Sequence, residues 1–143
     1  MRSLCGLVIA LVGLGCGGPS KPAVGGSQMV ILPPRPANCE LDIVTVRPED
    51  MAPGARFGAG GQYQMIGVVA LGLKQGTDVL SPEVRSLVRP KACGYGGEVV
   101  SLAAAGDSSH YVITGNTIRT VAQTDVLFTV WGPRSAGTEP QRF

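Results

Sequence analysis

Tyr63-Gln-Met-Ile-Gly-Val-Val-Ala-Leu-Gly-Leu73, then Ser81-Pro-Glu-Val-Arg-Ser-Leu-Val-Arg-Pro90, then Glu98-Val-Val-Ser-Leu-Ala103, is the stretch that decides the fold class. The first run is apolar on both period-2 faces, the pattern of a central strand covered on both sides. The second opens as a helix. Ser81 stands at the cap, Pro82 at the first helical position, and Glu83 faces the positive end of the dipole. Val84, Leu87 and Val88 then share one face. Pro90 removes a backbone donor and is expected to kink or end the helix, with Gly94 beyond as a stop. The third run returns to a strand.

Working outward, Glu40 to Val46 is rich in β-branched residues, is halted by Arg47-Pro48, and reads as a strand. Met51 to Gly61 reads as a flexible Gly-rich loop. Its Gly58-Ala-Gly-Gly61 lacks the Gly-Lys-Ser/Thr ending of a phosphate cradle and runs into a strand rather than a helix. Downstream, Gly106-Asp-Ser-Ser109 reads as a turn into a strand over 111–114, and Gly115-Asn116 as a two-residue hairpin loop into 117–121. Gln123-Thr-Asp125 reads as another turn, before a last strand from Val126 to Trp131 closed by Gly132-Pro133. The expected order is β-β-α-β-β-β-β. It predicts an α+β domain with one short helix on a mostly antiparallel sheet of about five or six strands.

The whole chain has 143 residues, 44% apolar and 15% charged, which fits one packed domain and excludes wholesale disorder. A net charge of +2 supplies no electrostatic case for nucleic acid, so no nucleic-acid partner is expected. The N-terminus carries Met1-Arg2-Ser3 and an apolar run from Leu4 to Leu14. That run has the length of a secretory signal core and is too short for a transmembrane helix. Gly13-x-Gly15-x-x-Gly18 satisfies the dinucleotide-binding string, but it follows no strand and lies in a removable leader.

Val12-Gly-Leu-Gly-Cys16-Gly-Gly18 resembles the lipobox of bacterial lipoproteins, departing from it at Gly13, where the family carries Leu. The resemblance implies a signal peptide over 1–15, cleavage behind Gly15, and acylation of Cys16 on sulfur and on its new amine. Several acyl chains make such an anchor stable, where one would be marginal. Gly17-Gly18 stands where an Asp in the family marks inner-membrane retention, so the outer membrane is the expected address. The alternatives at Cys16 are an ordinary secretory signal cut nearby, or a buried Cys in a mistaken start region.

Residues 16–37 are rich in Gly and Pro and read as a lipidated tether, residues 38–133 as the globular domain, and 134–143 as a flexible tail. Met29-Val-Ile-Leu32 interrupts the tether. It reads as an edge strand docking on the domain, the alternative being a partner-binding segment.

With Cys5 in the leader and Cys16 lipidated, Cys39 and Cys93 remain. In an oxidising envelope compartment they are candidates for a disulfide closing a loop of about 55 residues, worth on the order of 4 kcal/mol in the chain-entropy model. Two separate buried thiols are the alternative; a redox pair would need the CxxC spacing, which is absent. His110, the one histidine, sits in Asp107-Ser-Ser-His110, where adjacent positions do not converge as nucleophile, base and acid, so no catalytic residue is assigned. One His and two distant Cys do not make up a metal ligand set, and no cofactor is expected. Arg85, Arg89 and Lys91 make the exposed side of the helix basic, a candidate patch for anionic headgroups or an acidic partner; a solvated polar face is the alternative.

Tyr63-x-x-x-Gly67-x-Val69, Leu87 to Ala92, and Gly94-x-Gly96-Gly-Glu-Val-Val-Ser-Leu102 together resemble a fold shared by YbjQ-type proteins and the envelope stress-sensor lipoprotein of the Rcs pathway. The similarity spans roughly 40 residues. It lacks the sensor's clustered Cys, and Pro90 falls inside the helix, so no disulfide pattern or metal role carries over. The resemblance implies an α+β scaffold that acts by contacting other envelope proteins. The expected function is therefore that of a non-enzymatic, lipid-anchored envelope module binding a protein or envelope polymer. A purely structural lipoprotein is the alternative, and an enzyme the third.

Overall fold

The computed structural model describes residues 22–134. The leader over 1–15, Cys16 with the first residues of the tether, and the tail beyond Arg134 lie outside the described residues. Within them are β1 (Val24–Gln28), β2 (Asp42–Val44), β3 (Tyr63–Lys74), α1 (Pro82–Gly94), β4 (Val99–Thr114) and β5 (Thr117–Pro133), with a 3-10 turn over Pro48–Met51. The strands form one sheet in the order β1-β3-β5-β4-β2. Three of its pairings are antiparallel, and β2 lies parallel to β4. The fold is α+β with a mostly antiparallel five-stranded sheet and one helix.

The helix begins as its sequence dictates, with the Val84 amide donating to the Ser81 hydroxyl at 3.3 Å. Val84, Val88 and Ala92, one turn apart, are fully buried. They pack on Val69, Leu71, Phe128 and Val130, which the ladder places on one face of the sheet. Pro90 neither ends nor stops the helix, contrary to expectation, since α1 continues through Gly94. Pro90 is exposed, and so is Ser86, whose carbonyl would have taken the missing bond. Water can satisfy that carbonyl, and the last turn is held from outside. The Cys93 carbonyl accepts from the Arg35 and Gly96 amides, and the Ala92 carbonyl from Gly97. The stop is Gly96 rather than Gly94: its φ of 84° supplies the left-handed residue after the cap.

The four strands expected after the helix are two. The residues read as turns, Gly106 to Ser109 and Gln123 to Asp125, face one another in the ladder, with Gly106 opposite Asp125, Asp107 opposite Thr124 and Ser108 opposite Gln123. Paired turn-formers satisfy each other, and the Thr124 hydroxyl donates to the Asp107 carboxylate at 2.9 Å. The true reversal is Gly115-Asn116. Gly115 has φ 60° while Asn116 does not have a positive φ, the combination of a type II′ turn.

Part of the stretch read as tether belongs to the sheet. Residues Val24 to Gln28 pair with Leu71 to Gly67. Gly26 serves close packing here rather than flexibility: a Cβ on it would stand 2.6 Å from the Tyr95 hydroxyl and the Val68 carbonyl. Met29 to Leu32 follows and docks. The Met29 and Val30 amides both donate to the Ile66 carbonyl, Val30 and Leu32 pack on the core, and Met29 and Ile31 face outward.

The loop read as flexible is closed by its own hydrogen bonds, Phe57 to Asp50, Gly54 to Ala59, Gly58 to Ala55 and Gly61 to Gly58. It delivers Phe57 into a second buried cluster with Tyr63, Val99 and Trp131. The Phe57 ring stands 5.5 Å from Tyr63 and 4.8 Å from Trp131, spacings that favour aromatic pairs. The Arg134 guanidinium ties the loop to β5 through the carbonyls of Gly58, Gly61 and Tyr63.

Candidate functional site

The helix covers one face of the sheet; strand alternation sends every second residue to the other. A bulge between Met65 and Gly67 shifts the phase of β3, so Met65, opposite Trp131, and Gly67, opposite Val130, lie on opposite faces although only one residue stands between them. The far face is therefore filled by the aromatic cluster at one end and left open at the other. There Ala70 and Gly72 of β3 lie beside Leu127 and Asp125 of β5, which lie beside Ala104 and Gly106 of β4.

The result is a cleft of about 1180 Å³ whose lining includes Pro22, Ala23 and Gly25 on one side and His110, Val112 and Val121 on the other. Its depth comes from what its floor lacks. Gly25, Ala70, Gly72, Ala104 and Gly106 raise no large side chain above the backbone on β1, β3 and β4, and β5 between them contributes Leu127 and Asp125. Its polar groups are Lys74, His110, Glu83 from the first turn of α1, and Gln123, whose amide donates to the Asp125 carboxylate at 2.6 Å. Such a surface suits an extended, largely apolar occupant placed by a few polar contacts.

Cys39 and Cys93 are joined, with Cα atoms 6.0 Å apart. Cys93 is fully buried and Cys39 nearly so, which makes the bridge part of the core rather than an accessible thiol pair. Arg85 and Arg89 lie one turn apart on α1, Arg85 exposed and Arg89 half-buried. Lys91 turns away from them toward β1, its Cε close to Gly26, so the three basic residues do not line up as one row. The Nε of Arg89 is buried and makes no hydrogen bond among the described residues.

Asp107, Ser108, Ser109 and His110 lie on a strand, not on the expected turn. Alternation separates Ser108 and His110 from Asp107 and Ser109, so no nucleophile, base and acid meet there. Among the described residues no three His, Cys, Asp or Glu side chains converge as a metal site, and no helix is long and apolar enough to cross a membrane. Sequence reading missed the cleft because it depends on the register of three strands. The available signal was the recurrence of Ala and Gly at alternate positions, Ala70 and Gly72, then Ala104 and Gly106.

No family model and no curated protein matches the chain. Among solved structures it is similar to the crystal structure of a Francisella virulence factor, FvfA. The identity is 10% and the TM-score 0.42, over 77% of this chain and 98% of that one.

Proposed function

We propose that this chain is a lipid-anchored domain of the bacterial cell envelope, held in the outer membrane through Cys16, that acts as a non-enzymatic binding module. Its ligand is an envelope protein or polymer that presents an extended apolar segment to the cleft where β1, β3, β5 and β4 run together beside the start of α1. The observation that carries the reading is the floor of the cleft. Small residues from β1, β3 and β4 leave room for a bound chain, and a few polar groups at the margin can place it. The resemblance of residues 63–102 to the fold shared by YbjQ-type proteins and the Rcs-pathway stress-sensor lipoprotein supports the same reading.

Two experiments test the two halves of the proposal. Cys16→Ser should abolish labelling by a fatty-acid analogue and retention in membranes through a high-salt wash; retention of the Ser variant removes the anchor. For the cleft, Gly106→Trp is the discriminating change, because a Cβ at Gly106 meets nothing within 4 Å and the residue needs no positive φ. The variant should fold and fill the cleft. A photoreactive residue at Ala70 should then crosslink one partner in intact cells in the Gly106 background and lose that product in the Trp background. An unchanged product would show that the cleft is not the binding surface and favour a structural lipoprotein.

A further inference from the structure

The outer halves of β4 and β5 leave the sheet. The last residue of β3, Lys74, pairs with Gln123, and β2 reaches only Val99 to Ser101 of β4, so from Ser108 to Ala122 the two strands have only each other. This arm ends in large apolar side chains: Tyr111 is 75%, Ile113 72% and Ile118 66% exposed. Its ionisable side chains between Asp107 and Asp125 are His110, Tyr111 and Arg119, with no carboxylate among them. A two-stranded ribbon with an apolar tip is marginal in water and calls for cover.

The start of β1 gives the direction of that cover. β1 runs antiparallel to β3, and the Ala23 carbonyl accepts from Gly72, which stands level with Asp125 and Gly106. The chain therefore leads back toward Cys16 from the root of the arm, at the end of the sheet from which the arm projects. Seven Cα–Cα steps join Ala23 to Cys16, a reach of at most about 25 Å. The same seven steps along the arm, from Gly106 to Ile113, measure about 23 Å. If acyl chains on Cys16 sit in the bilayer, the root of the arm stands within about 25 Å of the lipid, a distance comparable to the length of the arm.

We infer that the tip of the β4–β5 arm, through Tyr111, Ile113 and Ile118, inserts into the headgroup boundary of the membrane that holds Cys16. The inference rests on the lipid anchor proposed above and adds a second point of attachment, which fixes the orientation of the domain and of its cleft. Tyr111 has the amphipathic ring that favours this depth, and Arg119 beside Ile118 suits anionic headgroups.

The test uses the mature lipidated protein in vesicles of phosphatidylethanolamine with phosphatidylglycerol as the minor component, the acyl chains carrying bromine as a contact quencher. Tyr111→Trp and Ile118→Trp place a reporter on the tip, Gln62→Trp places one at the opposite end of the sheet, and the buried Trp131 of the unaltered chain sets the baseline. Both tip reporters should lose emission and Gln62→Trp should not. Flotation of the unaltered chain and of Cys16→Ser is read in parallel. If the protein floats but the tip reporters are unquenched, or crosslink to a second copy instead, the arm contact is overturned and the anchor stands. If the unaltered chain fails to float, both fall.

Discussion

Opening the Cys39–Cys93 bridge is the perturbation whose cost follows most directly from the fold. The bridge joins the last turn of α1 to the segment entering β2, across a sequence separation of 54. For a loop of that length the chain-entropy model gives about 4 kcal/mol, a large share of the ~5–15 kcal/mol typical of a domain. The loss has a defined place. The last turn of α1 already lacks one helical hydrogen bond at Pro90, and it is held by the bridge and by bonds from Arg35, Gly96 and Gly97. Arg35 also donates through its guanidinium to the Gly97 carbonyl at 2.6 Å. Cys39→Ser should therefore lower stability in urea by about 4 kcal/mol, and Cys93→Ser and the double variant by the same amount, since any of them opens the same loop. Amide exchange should accelerate first at Gly96 and Gly97, while β3 and β5 keep their protection. Two free thiols in non-reduced protein, or single and double variants that differ by more than about 1 kcal/mol, would refute the loop-closure reasoning.

Three further outcomes follow from the packing. Phe128→Ala, at a fully buried position in the middle of β5, should cost about 3–5 kcal/mol in the same denaturation assay. Trp131 donates from its indole nitrogen to the Ser101 hydroxyl at 2.8 Å, a buried polar pair. Trp131→Phe strands that hydroxyl at an added cost of about 1–3 kcal/mol, and Ser101→Ala in the Trp131→Phe background should recover part of it; a strictly additive cycle would show that the bond contributes nothing. Ser81→Ala removes the cap on Val84 and should cost about 1 kcal/mol, with the loss of helix signal confined to the first turn.

What was legible in the sequence was local. The cap at Ser81, the buried stripe at Val84 and Val88, the strand over 63–73 and the reversal at Gly115-Asn116 each depend on a few neighbouring residues, and each stands where its pattern placed it. The departures share one cause, a tertiary partner supplying what the local signal lacked. Pro90 is tolerated because a bridge and three carbonyl contacts hold the turn after it. The Gly-rich run before Met29 becomes a strand because Tyr95 and Val68 need the space at Gly26. Gly106 to Ser109 stays extended because the equally polar Gln123 to Asp125 lies opposite. Composition names a residue's preference in isolation, and in each case a deciding partner is distant in sequence: Arg35 and Cys39 for the turn after Pro90, Tyr95 and Val68 for Gly26, and Gln123 to Asp125 for Gly106 to Ser109.

The two long strands also divide labour in a way that bears on function. Their inner halves rest on the core, with Val100, Val126, Phe128 and Val130 buried against α1 or β3. Their outer halves have no layer beneath them and depend on cross-strand pairs such as Ile113 with Ile118 and Tyr111 with Thr120, each worth roughly 0.2–1 kcal/mol. A sum of that size does not hold a ribbon rigidly in water. The arm should therefore be the part of the sheet whose order depends most on what it touches. His110, Val112 and Val121 belong both to the arm and to the cleft lining, so anything that seats the tip also sets the shape of the cleft wall. If the tip meets lipid and the cleft a ligand, as proposed above, the two contacts are coupled through these residues. Ile113→Asp, far from the floor of the cleft, should weaken partner crosslinking from Ala70 in membranes and leave it unchanged when the protein is held in detergent.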